Sequence, residues 1–254
     1  MNHSRAQFPV WGTVVDVDCS SKIARQSDLN DGVQKVIEFC KKVDEDFSTY
    51  IDSSWVSRLR RGKTTIDACP DYVRQVWDLC AKANFLSDGA FDPWKVADGF
   101  DPSGLVKGWA ADICADMLVA AGAEHVQVNA AGDLALRGGY FDPDAREIKP
   151  WKIGVVNPDN RAEVLKIFEI TNGAIATSGT YERGAHITDP YTGMIAIGAK
   201  SATIVGQKGW LCDALATAVM VAGTEAAKWF IQDELAGYQV WAIDRHEGTS
   251  WSNE

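Results

Sequence analysis

The sequence predicts an α+β fold, with mixed or antiparallel sheets flanked by helices. After one strand come three helical stretches, then six short strand-like segments, and finally two helices and a last strand. Runs of one element type indicate α+β architecture, because α/β folds alternate strands with helices. The 254 residues contain no repeat and no proline- or serine-rich linker. We therefore expect a single domain over residues 1–254, with two lobes around a central cleft as one possible arrangement.

The first half of the chain carries the clearest helical patterns. Alternating valines and aspartates predict a strand over residues 10–19, and we expect the residues before it to form a mobile terminus. Apolar residues three and four apart predict one helix around residues 33–47, with Asp28 or Asn30 as its cap, and a second over 71–83. A third helix is predicted from about Lys107 to Ala121, with Gly122 as its stop, since glycine commonly follows a helix end.

The second half reads as a meander of strands followed by helices. Strands are predicted at residues 126–128, 134–136, 151–156, 165–170, 174–176 and 202–205. Helices are predicted over 211–222 and 225–235, and a strand over 238–243 closes the pattern.

Composition excludes several classes of partner. The net charge of −10 argues against nucleic-acid binding and against attraction to anionic membranes. No uninterrupted apolar run reaches the roughly 20 residues that a membrane span needs, and no secretory signal is visible. The six cysteines form no Cys-x-x-Cys pair. They predict reduced, mostly buried thiols in a cytoplasmic protein without membrane insertion.

The segment from Thr177 to Gly193 is the strongest functional signal. It is polar and rich in turn-forming residues, yet it lies between two predicted strands, as binding and catalytic loops often do. It contains His186, the only one of four histidines that lies in a loop of this kind. A lone loop histidine is more often structural or solvated than catalytic, but its polar neighbours, such as Asp189, favour a functional role.

Two further positions, the Asp213/Thr217 pair and Lys107, have an ordinary and a functional interpretation. Asp213 and Thr217 lie four apart on a predicted helix and so share a face. Asp213 is interpreted either as the N-cap of that helix or, with Thr217, as a Mg²⁺ ligand. Lys107 is predicted near a helix N-terminus, where the helix dipole disfavours a cation. It is interpreted either as a solvated surface residue or as a residue that binds a polyanion there.

Several segments together resemble the ApbE family of FAD:protein FMN transferases, from Gly12 almost to Gly223. The matching pieces are Phe47–Tyr50, Gly89–Asp92, Asp101–Ala110, Asn129–Asp133, Thr177–Arg183, His186–Gly193 and Asp213–Thr217. The resemblance implies an enzyme that uses FAD and Mg²⁺. It would transfer FMN to a threonine hydroxyl of an acceptor protein and release AMP.

Site residues follow from the same resemblance. It implies that Mg²⁺ is bound by the backbone of Gly104 and the side chains of Asp213 and Thr217, and that His186 is the catalytic base, with Lys107 as a second cation. The implied contacts to the flavin nucleotide are Trp11, Tyr50, Ala90, Phe91, Asp92, Asp101, Lys107, Thr177, Ser178, Gly179 and Ile187.

The chain also departs from the family pattern. Trp11 stands where relatives often have methionine, Ala131 replaces a glycine, and Ala216 stands where some relatives have a second acid. We expect the Ala131 change to be mild and the metal to bind weakly until FAD adds phosphate oxygens. Two alternatives stay open at this point: a Mg²⁺-dependent FAD pyrophosphatase that yields FMN and AMP, and a noncatalytic FAD-binding module.

Overall fold

The computed structural model describes residues 1–96, 98–179, 187–246 and 248–253, and its centre is an antiparallel sheet. The strands are β1 (Asn2–Val10), β2 (Thr13–Ser21), β3 (His125–Ala130), β4 (Asp133–Arg137), β5 (Tyr140–Asp142), β6 (Glu147–Lys149), β7 (Trp151–Val156), β8 (Val164–Ile170), β9 (Gly173–Gly179), β10 (Ala199–Gly206), β11 (Gln239–Asp244) and β12 (Ser250–Ser252). Eight of them form one sheet in the order β1-β2-β3-β4-β9-β10-β11-β12. The pairs β5–β6 and β7–β8 form separate two-stranded ribbons. This architecture confirms the predicted fold class.

The α-helices in the described residues are α1 (Gln26–Phe47), α2 (Trp55–Arg60), α3 (Asp71–Leu86), α4 (Ser103–Ala120) and α5 (Gly209–Ala222). Helices α4 and α5 pack on the central strands and against each other. They approach closely because Gly108 and Gly209 face one another: a Cβ on Gly108 would lie 2.2 Å from the carbonyl oxygen of Gly209. This close crossing brings the first turns of α4 next to the middle of α5.

The ribbon β7–β8 covers the opposite face of the sheet. Alternate residues of β4 divide between the two faces, as expected for a strand. Leu134 and Leu136 pack with Phe168 of the ribbon, whereas Ala135 belongs to the cluster beneath the helices. The ribbon therefore forms an arm whose connecting loop, residues 157–163, extends from the covered sheet.

Two tight hairpin turns lie at the same end of the sheet. Trp11 and Gly12 join β1 to β2 with φ of 57° and 67°, and Ala131 and Gly132 join β3 to β4 with φ of 57° and 96°. Two consecutive positive φ angles are the mark of a type I′ turn, whose twist suits a hairpin. Because β9 runs antiparallel to β4, its last residues reach this same end.

Several sequence expectations were wrong in detail. The N-terminal residues form β1, which pairs with β2 over its full length, instead of a mobile terminus. Helix α1 begins after Arg25, so neither Asp28 nor Asn30 is its cap. Helix α4 begins at Ser103, before Lys107. Helix α2 was not predicted, and the predicted helix 225–235 is two 3-10 helices, Gly223–Ile231 and Asp233–Leu235.

Other expectations were confirmed. Helix α5 ends where predicted, and the residue after α4's C-cap is Gly122, with φ of 95°. All six cysteines are buried. The helical stretch Gly209–Ile231 is long enough to span a membrane and contains an 18-residue window with a mean hydropathy of 1.2. Half of that window is buried inside the protein. We interpret its first part, α5, as a core helix, because it packs against the sheet and α4.

Candidate active site

A cavity of about 500 Å³ opens at the end of the sheet that carries the two hairpin turns. It is bordered by the start of α4, the middle of α5 and the last residues of β9. The predicted site residues that line it are Ala90, Phe91, Asp92, Asp101, Gly104, Lys107, Thr177, Ser178, Gly179, Ile187, Asp213 and Thr217. Segments more than 100 residues apart in the sequence therefore meet in one place.

A second cavity, of about 370 Å³, adjoins the first and holds the other two predicted contacts. It is lined by Trp11 and Tyr50 and shares Lys107 with the first cavity. The side chain of Tyr50 is fully available to a ligand, since the residue is 96% exposed. Trp11 is held in place, because its indole N–H donates to the carbonyl oxygen of Cys40 at 3.1 Å.

Lys107 lies between two buried carboxylates. Its Nζ contacts Oδ2 of Asp133 and lies 3.4 Å from both carboxylate oxygens of Asp213. The lysine side chain is 21% exposed, and those of Asp133 and Asp213 are 5% and 3% exposed. Lys107 is in the second turn of α4 and is not a solvated surface residue, so that interpretation was wrong. Sequence reasoning had not assigned Asp133 any role.

The two carboxylates fix the charge of Lys107. Burial by itself would lower the pKa of the ammonium group, but the Coulomb attraction and hydrogen bonds of Asp133 and Asp213 outweigh it and raise the pKa above its usual value. Lys107 is therefore protonated throughout the neutral range. It can provide a fixed positive charge, but it cannot take up a proton as a base.

Asp213 is not a helix cap, so that alternative was wrong. It is the fifth residue of α5, which begins at Gly209, and its Oδ2 accepts a hydrogen bond from the backbone N–H of Gly108 at 3.2 Å. The N-terminus of α5 is satisfied by another aspartate, Asp112 of α4, which accepts from the N–H of Gly209 at 2.6 Å. Asp213 is thus held toward the cavity by α4.

The oxygen groups beside Asp213 fit a hard cation. Thr217 lies one turn further along α5, and its hydroxyl is 3.5 Å from that of Ser178. Gly104 has non-helical φ and ψ of −82° and 18°, and a Cβ there would come within 3.0 Å of the Thr217 hydroxyl. Only glycine leaves that space open. Carboxylate, hydroxyl and carbonyl oxygens are the donors that Mg²⁺ prefers.

The donor set is nevertheless sparse. Among the described residues, no three His, Cys, Asp or Glu side chains form a group that could hold a metal ion. The second carboxylate of the region, Asp133, is engaged by Lys107. Oxygens from a bound phosphate would therefore be needed to complete the coordination of a metal at Asp213.

The acidic residues at the cavity entrance are fixed by ion pairs. Asp101 accepts from the backbone N–H of Ser103 at 2.9 Å and pairs with Arg60 at 3.0 Å. Asp92 pairs with Lys95 at 3.5 Å. These contacts hold the loops before α4 in one arrangement and compensate much of their negative charge.

Some residues were missed or lie out of reach. His186 falls outside the described residues, so its predicted role is untested. The sequence analysis did not anticipate that Gly12, Thr13, Pro93, Val96, Ser103, Ala131, Arg161 and Thr188 would line the cavity. The hairpin signals at residues 11–12 and 131–132 could have indicated Gly12 and Ala131. Arg161 follows an exposed ribbon strand and carried no sequence signal.

Comparison with known proteins places these features in a family. The model of the ApbE family matches residues 95–241, more than half of the chain. The FAD:protein FMN transferase of Vibrio cholerae is 36% identical over 135 residues, which cover 49% of this chain and 39% of that protein. The enzyme of the same name from Escherichia coli K12 is 31% identical over 161 residues, or 59% of this chain and 44% of the other. The matches span about two fifths of these relatives' length.

Solved structures share the fold over the entire chain. The flavin transferase ApbE from Vibrio cholerae superposes with a TM-score of 0.84 at 21% identity, covering 100% of this chain and 97% of that one. The ApbE protein from Thermotoga maritima gives 0.82 at 23% identity, with 100% and 97% coverage. At this level of identity the likeness concerns the fold alone. Because the family model matches the chain from before α4 to within β11, this protein belongs to the ApbE family.

Proposed function

We propose that this protein transfers the FMN moiety of FAD to a threonine hydroxyl of an acceptor protein, in a Mg²⁺-dependent reaction that releases AMP. The observation that supports this most is the convergence of distant sequence segments on one cavity that offers oxygen ligands and a fixed cation. The names of the relatives point the same way, although the matched regions cover only part of those proteins.

In this proposal the two adjoining cavities bind FAD. Trp11 and Tyr50 contact it in the smaller cavity. In the larger cavity the contacts come from two loop segments and the end of β9: Ala90, Phe91, Asp92, Asp101, Thr177, Ser178, Gly179 and Ile187. Lys107 lines both cavities and places its positive charge between them.

Asp213, Thr217 and the backbone of Gly104 would hold Mg²⁺. When bound there, the ion supplies Lewis-acid neutralisation of phosphate oxygens, which contributes several kcal/mol in such sites. Asp133 would hold Lys107 through its ion pair, independently of a metal bound at Asp213. Lys107 thus remains available as a second positive charge for the pyrophosphate.

The reaction forms one P–O bond and breaks another. The threonine oxygen attacks the flavin-side phosphorus of FAD, and the bond from that phosphorus to the bridging oxygen breaks, so that AMP leaves with both electrons of the bond. His186 takes the hydroxyl proton, which would contribute about 10²–10⁴-fold. Lys107 does not take this role, because its neighbours hold it protonated.

An assay of both products tests the proposal. The protein is incubated with FAD and Mg²⁺ in a bacterial lysate, and flavin fluorescence is followed on a denaturing gel while AMP is measured in solution. The proposal predicts a fluorescent protein band that depends on Mg²⁺ and appears together with AMP. AMP with free FMN and no band would instead establish FAD hydrolysis, and FAD binding without AMP would establish a noncatalytic module.

A cytoplasmic location is part of the proposal. The six thiols are all buried and free, as suits a reducing compartment. Cell fractionation with an antibody against the protein tests it, and recovery in an exported fraction would contradict it.

A further inference from the structure

The loop of the β7–β8 arm reaches the larger cavity. Most of the arm packs on the sheet face opposite the helices, through Val155, Phe168 and Ile170. Its connecting loop, residues 157–163, extends beyond that contact, and Arg161 lines the cavity together with Lys107 and Asp213. A guanidinium group is thus brought to the site by an element that contributes no other residue to the cavity among the described ones.

The loop that carries Arg161 is held by its own hydrogen bonds. Asn157 donates its backbone N–H to the carbonyl oxygen of Glu163 at 2.8 Å, and its side-chain amide donates to the carboxylate of Glu163, also at 2.8 Å. Asn160 closes the turn by accepting from the N–H of Glu163 at 2.9 Å. An ion pair between Asp159 and Lys200 ties the loop to β10. These contacts hold the loop that carries Arg161 beside the cavity.

The charge of Arg161 indicates what it can bind. Among the lining residues that the structure describes, the cations are Lys107 and Arg161. The pyrophosphate of FAD carries two negative charges, and cationic side chains form strong hydrogen bonds to phosphate oxygens. Both cations therefore suit the phosphate part of a dinucleotide in this cavity.

We propose that Arg161 binds the pyrophosphate of FAD and thereby favours the dinucleotide over flavins without phosphate. This inference rests on the proposed function, since it takes FAD as the ligand. Arginine suits the role because its planar guanidinium donates two parallel hydrogen bonds to phosphate oxygens. The residue is exposed in a turn, so its replacement leaves the packed core unchanged.

Ligand binding by three variants tests the inference. Arg161→Gln removes the charge, and Arg161→Lys retains it. Lys152→Gln is the control: Lys152 is an exposed cation on the same arm, and it pairs with Glu169 outside the cavity. Dissociation constants for FAD and riboflavin are measured by flavin fluorescence with Mg²⁺ at two salt concentrations. Loss of hydrogen bonds to a charged group predicts that Arg161→Gln raises the FAD dissociation constant about tenfold or more. Riboflavin binding should change less than about twofold, on the same scale of hydrogen-bond effects.

The controls give each outcome one meaning. Lys152→Gln should bind FAD like the wild type, and Arg161→Lys should recover part of the loss. The salt dependence of FAD binding should be weaker in Arg161→Gln, because one charged contact is gone. An unchanged FAD affinity in Arg161→Gln, or an equal loss for riboflavin, would overturn the inference and leave the proposed function standing. A wild-type protein that binds no FAD would overturn the proposed function as well.

Discussion

Replacing Asp213 with asparagine separates the charge of this residue from its shape. The amide oxygen can still accept the hydrogen bond from Gly108, which the carboxylate accepts at 3.2 Å. Lys107 loses one of its two carboxylate neighbours but keeps Asp133. The free energy of unfolding should therefore fall by about 1–3 kcal/mol, less than the roughly 3–5 kcal/mol expected when a buried charge loses its only partner. At about 2–4 °C per kcal/mol, the melting temperature should fall by roughly 2–12 °C.

The effect on turnover should be larger than the effect on stability. A neutral amide oxygen is a weak ligand for Mg²⁺, and Asp213 is the only side-chain carboxylate assigned to the metal. Losing about 3 kcal/mol of metal-derived stabilisation corresponds to roughly a hundredfold loss of rate. A variant that thermal unfolding shows to be folded at the assay temperature would lose rate through chemistry and not through unfolding.

The assay is AMP release at saturating FAD as a function of Mg²⁺ concentration, with thermal unfolding of the same samples. The matched control is Asp112→Asn, a buried aspartate outside the cavity lining that accepts from the N–H of Gly209 and lies 3.5 Å from the guanidinium of Arg137. Burial raises the pKa of Asp112, so its charge costs stability that grows as the pH rises above about 4, and a neutral amide should be tolerated. Turnover of Asp213→Asn within a few-fold of the wild type, combined with a lower melting temperature, would refute the metal assignment.

Three other variants test separate parts of the account. His186→Ala should slow single-turnover AMP release about 10²-fold or more, with little change in FAD affinity. The variant should also lose the rise in rate that a histidine base gives near pH ~6.5. A rate within a few-fold of the wild type would exclude His186 as the base. Ala131→Gly should raise stability by about 0.5–1 kcal/mol, because alanine is strained at φ of 57°, and a lower melting temperature would contradict this. Lys107→Met should lower the free energy of unfolding by about 3 kcal/mol or more at neutral pH, because two buried carboxylates lose the cation between them; a stability equal to that of the wild type, measured by urea unfolding, would contradict the ion pairs.

The sequence predicted the elements whose patterns are long and regular. Helix α1 has apolar residues at helical spacing over several turns, and α5 is small or apolar at nearly every position, as suits a buried helix, so tertiary packing agreed with the local signal. Strand β1 was missed because its exposed positions are polar and Pro9 interrupts the pattern. Pairing with β2 overrides that weak propensity.

The site was predictable as a set of segments but not as a network. Twelve of the residues grouped by family resemblance line the larger cavity and two more line the adjoining one, yet the ion pairs of Lys107 join positions 26 and 106 residues away. Such contacts depend on the crossing of α4 and α5 at Gly108, which no local pattern reveals. The change at Ala131 was expected to be mild, but its positive φ shows that the backbone of the turn is strained there.

The most direct test of the central claim is the fate of the flavin after turnover. The protein, FAD and Mg²⁺ are incubated in a lysate, and flavin bound covalently to protein is compared with free FMN and with AMP. The account predicts that AMP forms together with protein-bound flavin, that treatment with EDTA prevents both, and that Asp213→Asn is defective in both. AMP accompanied only by free FMN, or unchanged product formation in EDTA, would contradict it.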